Sequence, residues 1–222
     1  FFDNENYINT ILKIAEKYNT DDYDHVIFSY HGLPERQVDK VHLDGKICAS
    51  HYCEEKIDET NRYCYKAACY ATTRLIAGKL GLKRQDYTVC FQSRLDQKWL
   101  TPFSDVVVAS CAEKGMKNIL VFSPAFTADC LETIIEIGEE YQEIFAKNGG
   151  DRVQLVHDAG RLTDGELQLS GHLDIGEVDP FDRGPGDEGE VLPDGVCHRG
   201  ECALLSRLAE CAVRRRIVDR PR

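Results

Sequence analysis

The sequence predicts an α/β fold in which helices cover both faces of a doubly wound parallel sheet, followed by a largely irregular C-terminal tail. Two observations carry that expectation. Short apolar runs alternate with amphipathic segments through residues 1–159, the order that parallel strands joined by crossover helices require. The character then changes near Gly160: residues 160–222 hold nine of the 17 glycines and four of the seven prolines but one aromatic, Phe181. Such a composition buries too little apolar area to offset chain entropy, so the tail is expected to be mostly disordered, with Cys202 to Val213 its one helical stretch.

The elements follow in order. Asn4 to Tyr18 carries apolar residues at Tyr7, Ile8, Ile11, Leu12, Ile14 and Ala15, a helical period. His25 to Tyr30 is a short apolar run suited to a buried parallel strand. A helix is expected from about Asn61 to Leu80, stopped by Gly81, and a strand over Tyr87–Phe91. Ser104 reads as the cap of a helix that runs to Lys114 and ends at Gly115. Asn118–Ser123 is the third strand, about Thr127 to Lys147 a long helix closed by Gly149–Gly150, and Val153–His157 the fourth strand.

Charge and composition exclude several classes. A formal charge of -11 opposes nucleic-acid binding, which needs a basic footprint. No run approaches the roughly 18 apolar residues that span a bilayer, and no signal peptide is apparent. The opening Phe1–Phe2–Asp3, without an initiator Met, reads as the interior of a longer protein. A cytoplasmic location is expected.

Ligands of an open parallel sheet bind beyond the carboxyl ends of its strands. The residues just past those ends are His31–Gly32–Leu33–Pro34, Gln92–Ser93–Arg94, and Pro124 through Glu132. An imidazole and a carboxylate at one sheet edge suit acid/base or metal-handling chemistry. On position alone His31 reads equally well as a core histidine satisfying a turn. Glu132 and Glu136 share a helix face, and Glu132 gains from the positive end of that helix. Glu139, Glu140 and Glu143 read as a solvated acidic face.

Four blocks in order carry a resemblance: Phe28–Pro34 (FSYHGLP), Phe91–Arg94 (FQSR), Trp99–Pro102 (WLTP) and Phe126–Glu136 (FTADCLETIIE). Over residues 1 to about 157 the chain resembles the second half of the ferrochelatase family. The resemblance implies two Rossmann-like halves with a porphyrin cleft between them, of which the first half is absent here. It implies an enzyme of the lyase type that inserts Fe²⁺ into protoporphyrin IX or coproporphyrin III. It gives His31 the pyrrole-proton or metal role, Glu132 as acidic partner and co-ligand of the substrate iron, and Glu136 as the start of a carboxylate path. Gln92, Ser93, Trp99, Pro102 and Phe126 would contact the porphyrin, with core packing an equal reading for Phe126. Partners would be the porphyrin, ferrous iron and the N-terminal half of the same enzyme; a homodimer and peripheral membrane contact are left open. A cobalt or nickel chelatase and a non-catalytic iron–sulfur or zinc module are the rival functions. Beyond Val156 the family likeness stops, and the tail reads as foreign or frameshifted coding sequence.

Ten cysteines without a secretory signal point to metal ligation or buried thiols before disulfides. Cys48, Cys53, Cys64 and Cys69 form C-x4-C-x10-C-x4-C within an insert over about residues 44–70. Four thiolates suit a [2Fe–2S] cluster or a structural zinc, paired disulfides are the third reading, and the spacing does not choose among them. His51 could replace one ligand. The resemblance favours the cluster, because some bacterial members carry an internal cysteine-rich segment that holds [2Fe–2S]. Cys90 and Cys111 read as buried thiols, Cys130 adjoins the site, and Cys197, Cys202 and Cys211 receive no role.

Overall fold

The structure, a computed structural model, describes residues 2–156. Its order is α1 (Glu5–Ala15), β1 (His25–His31), α2 (Glu35–Asp39), α3 (Tyr65–Lys79), β2 (Tyr87–Gln92), α4 (Ser104–Glu113), β3 (Asn118–Phe122), a π-helix (Glu132–Tyr141) running into α5 (Gln142–Lys147), and β4 (Arg152–Leu155). The strands form one sheet in the order β2-β1-β3-β4, with all pairs parallel. The expected α/β class is therefore observed. The tail, His157, the helix over Cys202 to Val213 and the cysteines at 197, 202 and 211 lie outside the described residues.

Alternation along the strands explains the three layers. Val26, Phe28 and Tyr30 point to one face, where they join Val89, Phe91, Leu120 and Phe122 beneath residues of α1 and α3. Ile27, Cys90, Ile119 and Val121 point to the other and pack on α4, the π-helix and α5 through Val108, Ile137, Tyr141 and Phe145. A strand covered on both sides has no polar face, which is why β1 is mostly apolar and the hydroxyl of its buried Ser29 is bonded to Gln92 and Ser104. Phe28 and Phe122 stack at 4.9 Å in the middle of the first layer. Among the described residues, no helix is long and apolar enough to cross a membrane.

Several expected boundaries move for identifiable reasons. Ser104 is the first helical residue and not the cap, because its buried hydroxyl bonds Ser29 Oγ at 2.9 Å and Cys90 Sγ at 3.1 Å across the helix–sheet contact. The helix expected from Asn61 begins at Tyr65, since the chain before it is folded into turns around the cysteines. The helix expected from Thr127 begins at Glu132, where Thr133 turns its hydroxyl back to accept the Cys130 amide at 3.0 Å. Its first ten residues are π-helical, a geometry that apolar periodicity does not announce.

Gly150 closes α5 where the chain turns into β4. A Cβ there would lie 2.3 Å from the Phe145 ring, and that ring is fully buried. At Gly138 a Cβ would meet only the Thr133 carbonyl at 3.7 Å. Gly150→Ala should therefore lower unfolding free energy by roughly 1–3 kcal/mol, with Gly138→Ala close to neutral. Urea denaturation of the two variants checks this; an unperturbed Gly150→Ala would contradict the packing described.

Candidate active site at the carboxyl ends of the strands

His31 and Gln92 are register partners at the ends of β1 and β2. Gly32 follows, and its amide donates to the Gln92 carbonyl at 2.8 Å. A Cβ at Gly32 would come within 2.9 Å of that carbonyl oxygen and 3.3 Å of the Trp99 ring, so only glycine allows this approach.

The His31 ring is half-buried, with Trp99 at 6.4 Å and Phe126 at 6.2 Å between ring centroids. Its Nδ1 lies 2.6 Å from the Gly32 carbonyl. A carbonyl can only accept, so Nδ1 carries the proton in the neutral ring and Nε2 keeps its lone pair. The His31 carbonyl accepts from the Tyr65 hydroxyl at 2.9 Å. Burial pushes the Tyr65 phenol up, so it remains a donor at any ordinary pH.

Gln92 ties this edge to the π-helix. Its Oε1 accepts from Ser29 Oγ at 2.7 Å. Its amide donates to the Glu132 carbonyl at 2.9 Å and to the Glu136 carboxylate at 3.2 Å. Glu136 also accepts from the Ser93 amide at 2.8 Å, the Ser93 hydroxyl at 2.6 Å and the Tyr141 hydroxyl at 3.0 Å. The last contact is i to i+5, the neighbour relation of a π-helix. Ser93 sits at φ +62, a strained conformation for a non-glycine residue, and its bonds to Glu136 hold it there. Glu132 approaches the Cys130 thiol, which burial and that carboxylate together raise.

The expected site residues thus divide. His31, Trp99, Phe126, Gln92, Ser93, Glu132 and Glu136 belong to one linked constellation. Within it the polar side-chain atoms of Gln92, Ser93 and Glu136 are bonded to one another and to Ser29, Glu132 and Tyr141, which makes them anchors of the site wall. Pro102 goes elsewhere: its carbonyl accepts from the Phe91 amide at 2.9 Å, and its ring lines a groove with His25, Thr88 and Met116. His25 stands at the opposite end of β1 from His31. A groove of about 840 Å³ on another side includes Trp99, Leu33, Arg36 and Lys98 but not His31 or Glu136. Tyr65 and Tyr141 were invisible to sequence reasoning, because neither belongs to a strand-end segment.

The cysteine segment gathers His42, Cys48, Cys53 and Cys64, all buried, with their ligand atoms within 4.8 Å of one another. Three of the four expected cysteines belong to this group; His42 lies within it and Cys69 outside it. His51, considered as a substitute ligand, instead stacks flat on His42 at 4.0 Å. Cys48 and Cys64 sulfurs are 3.5 Å apart, and the hydrogen bond from Cys48 draws the Cys64 thiol down to about 5. Cys53 is pushed up to about 11, chiefly by burial. All seven described cysteines are free thiols, so the paired-disulfide reading of the segment is not met. Cys90 and Cys111 are buried, as expected.

Comparison with known proteins adds a family. The profile described as Ferrochelatase matches residues 1–164, a little past the point where the resemblance was read to stop. A Ferrochelatase from Pseudomonas fluorescens (strain SBW25) is 38% identical over 159 residues, covering 70% of this chain and 47% of the relative. One from Coxiella burnetii (strain Dugway 5J108-111) is 40% identical over 158 residues, covering 70% and 45%. The chain spans about half the length of the curated relatives it matches.

Gln92→Leu removes three hydrogen bonds at once and strands the Glu132 carbonyl, while the Ser29 hydroxyl keeps only Ser104. We expect a loss of roughly 1–3 kcal/mol or more in unfolding free energy, against almost none for the exposed Gln97→Leu. Chemical denaturation of both variants is the check, and equal stability would show that the bridge holds nothing.

Proposed function

Because the chain belongs to the ferrochelatase family, we propose that it forms one wall of an enzyme that inserts ferrous iron into a porphyrin, with the opposite wall supplied by a complementary half. The observation that carries this reading is the state of His31. Its Nδ1 proton is committed to the Gly32 carbonyl, which leaves Nε2 with its lone pair on a ring that has Trp99 and Phe126 as aromatic neighbours. An imidazole whose second ring nitrogen keeps its lone pair can act as a general base toward a bound substrate.

Insertion releases two pyrrole protons for each Fe²⁺ that enters, and the ion sheds its water. In the mechanism we infer, Nε2 of His31 takes pyrrole protons and Glu132 receives them on the way to solvent or holds the incoming cation. Glu132 opens the π-helix at the positive end of its dipole. Leu131 and Ile134 on either side of it are exposed, at 61% and 49%, and offer apolar surface to a flat macrocycle. Glu136, whose oxygens are held by four donors, fixes the wall and is not the mobile member of a proton path. Trp99 and Phe126 would bear on the macrocycle.

Three thiols and an imidazole form a donor set that a [2Fe–2S] cluster or a zinc ion accepts. We favour the cluster, held by Cys48, Cys53 and Cys64 with Cys69 or His42 as the fourth ligand. Iron insertion is not a redox reaction, so its contribution would be structural or sensing. We place the reaction in the cytoplasm, since unpaired cysteines accord with a reducing compartment.

Assay of the complete enzyme with His31→Ala and Glu132→Gln tests the reading. His31→Ala should lower the rate of iron insertion at least about 100-fold and Glu132→Gln at least about 10-fold, with the circular dichroism unchanged. Full activity in a folded His31→Ala enzyme would remove the assignment. Preference for Co²⁺ or Ni²⁺ over Fe²⁺ would point to a related chelatase.

A further inference from the structure

We propose that the groove at the amino ends of β1 and β2 is a binding site in its own right, for a small amphiphilic oxyanion: a carboxylate or phosphate on a short apolar body. The site is separate from the chemistry at His31. His25 and His31 are the first and last residues of β1, and successive residues about 3.3 Å apart set them roughly 20 Å from each other.

The groove has a volume of about 520 Å³, enough for a small organic molecule. Tyr87, Pro102, Val106 and Met116 give it apolar wall, while Arg84, Lys114 and His25 bring its charge and polarity. An apolar pocket with a few convergent polar groups is the ordinary make-up of a small-ligand site.

The first observation is unpaired charge. With 38 acidic residues against 27 basic, carboxylates are in excess, and Arg62, Lys66 and Arg94 each pair with one. Arg84 and Lys114 do not. The Arg84 guanidinium donates to the Tyr87 carbonyl at 3.2 Å and lies 5.3 Å from the centre of the Tyr87 ring. That holds it at the groove and leaves most of its five N–H groups free. The Lys114 ammonium makes no ion pair or hydrogen bond among the described residues. Among those residues no carboxylate lines the groove. Lys114 caps the carboxyl end of α4, where the helix dipole repels an anion. Attraction therefore has to come from side chains.

The second observation is His25, only 8% exposed. Its Nε2 lies 2.8 Å from Thr88 Oγ1, and its Nδ1 has no hydrogen-bond partner among the described residues. Burial, together with the charges of Lys114 and Arg84, holds its pKa below the ordinary value against the opposing pull of Asp86. The ring is thus neutral near pH 7. With the Thr88 hydroxyl donating to Nε2, the one ring proton sits on Nδ1, ready for an oxyanion. Both cations act on this imidazole, so the three groups converge. The Asp86 carboxylate is already engaged, accepting from the Lys83 amide at 2.8 Å.

Amide NMR titrations of the full chain with hexyl phosphate, hexanoate and hexanol test the site. At least one of the two anions should bind saturably with a Kd below about 10 mM and shift the amides of Thr88, Ser110 and Lys114. The tighter of the two identifies the head group, and either supports the site. It should bind at least about 10-fold more tightly than its head group alone, inorganic phosphate or acetate, which cannot use the apolar wall. Arg84→Gln and Lys114→Gln should each weaken binding about 3–5-fold, and the double substitution at least about 10-fold. Lys79→Gln, which alters an exposed cation of α3 that does not line the groove, should change nothing. Arg84 and Lys114 are exposed, so their loss leaves the core intact, and circular dichroism verifies the fold. Four results would each overturn the site: no saturation by either anion up to about 10 mM, equal binding of hexanol, equal binding of the bare head group, or undiminished binding in the double variant.

Discussion

Gln92 holds the geometry on which the rest depends. Its side chain is 1% exposed, and a primary amide in that position must find partners for its oxygen and both protons or lose roughly 1–3 kcal/mol. It finds them on three elements: Ser29 of β1, the Glu132 carbonyl at the start of the π-helix, and the Glu136 carboxylate one turn on. A sheet end and a helix that would otherwise meet only through apolar contacts, which slide, are thereby locked in register. Everything at the candidate site is referred to that lock, because His31 is the neighbour of Gln92 in the sheet and Glu132 is its partner in the helix.

The π-helical turn serves the same lock. In an α-helix the neighbours of Glu136 on its own face are three and four residues away. The π geometry brings Tyr141, five residues on, to its carboxylate. Ser93 meets that carboxylate from the sheet side, in a strained backbone conformation held by two hydrogen bonds. Strain and an uncommon helix at one strand end mark the place where the fold departs from regularity, and such departures gather at functional sites. Around the same imidazole, Tyr65 fixes the backbone from α3 and Gly32 lets Trp99 approach.

Much of this was legible in the sequence because it obeys local rules. The apolar runs of β1 and β3 and the helical period of α1 needed no tertiary information. The rule that sites form beyond strand ends points to His31, Gln92 and Glu132, which the fold brings to one sheet edge. What escaped depends on long-range contacts. Ser104 looks like a cap until its hydroxyl is seen to be used by Ser29 and Cys90. Cys69, the last cysteine of the spacing pattern, lies within α3 with its thiol against Tyr65. His42 belongs to no spacing pattern and reaches the thiols only because the insert folds back on itself. Pro102 shares a sequence block with Trp99 but turns to a different groove.

The central claim is that the open nitrogen of His31 faces the nitrogens of a bound tetrapyrrole. A crystal structure of the complete enzyme with metal-free porphyrin measures this directly. The account predicts Nε2 within about 2.6–3.2 Å of a pyrrole nitrogen, or one water away, with the macrocycle against Trp99 and Phe126. A porphyrin seated instead in the groove of Leu33, Arg36 and Lys98, with Nε2 turned away from its centre, would contradict it.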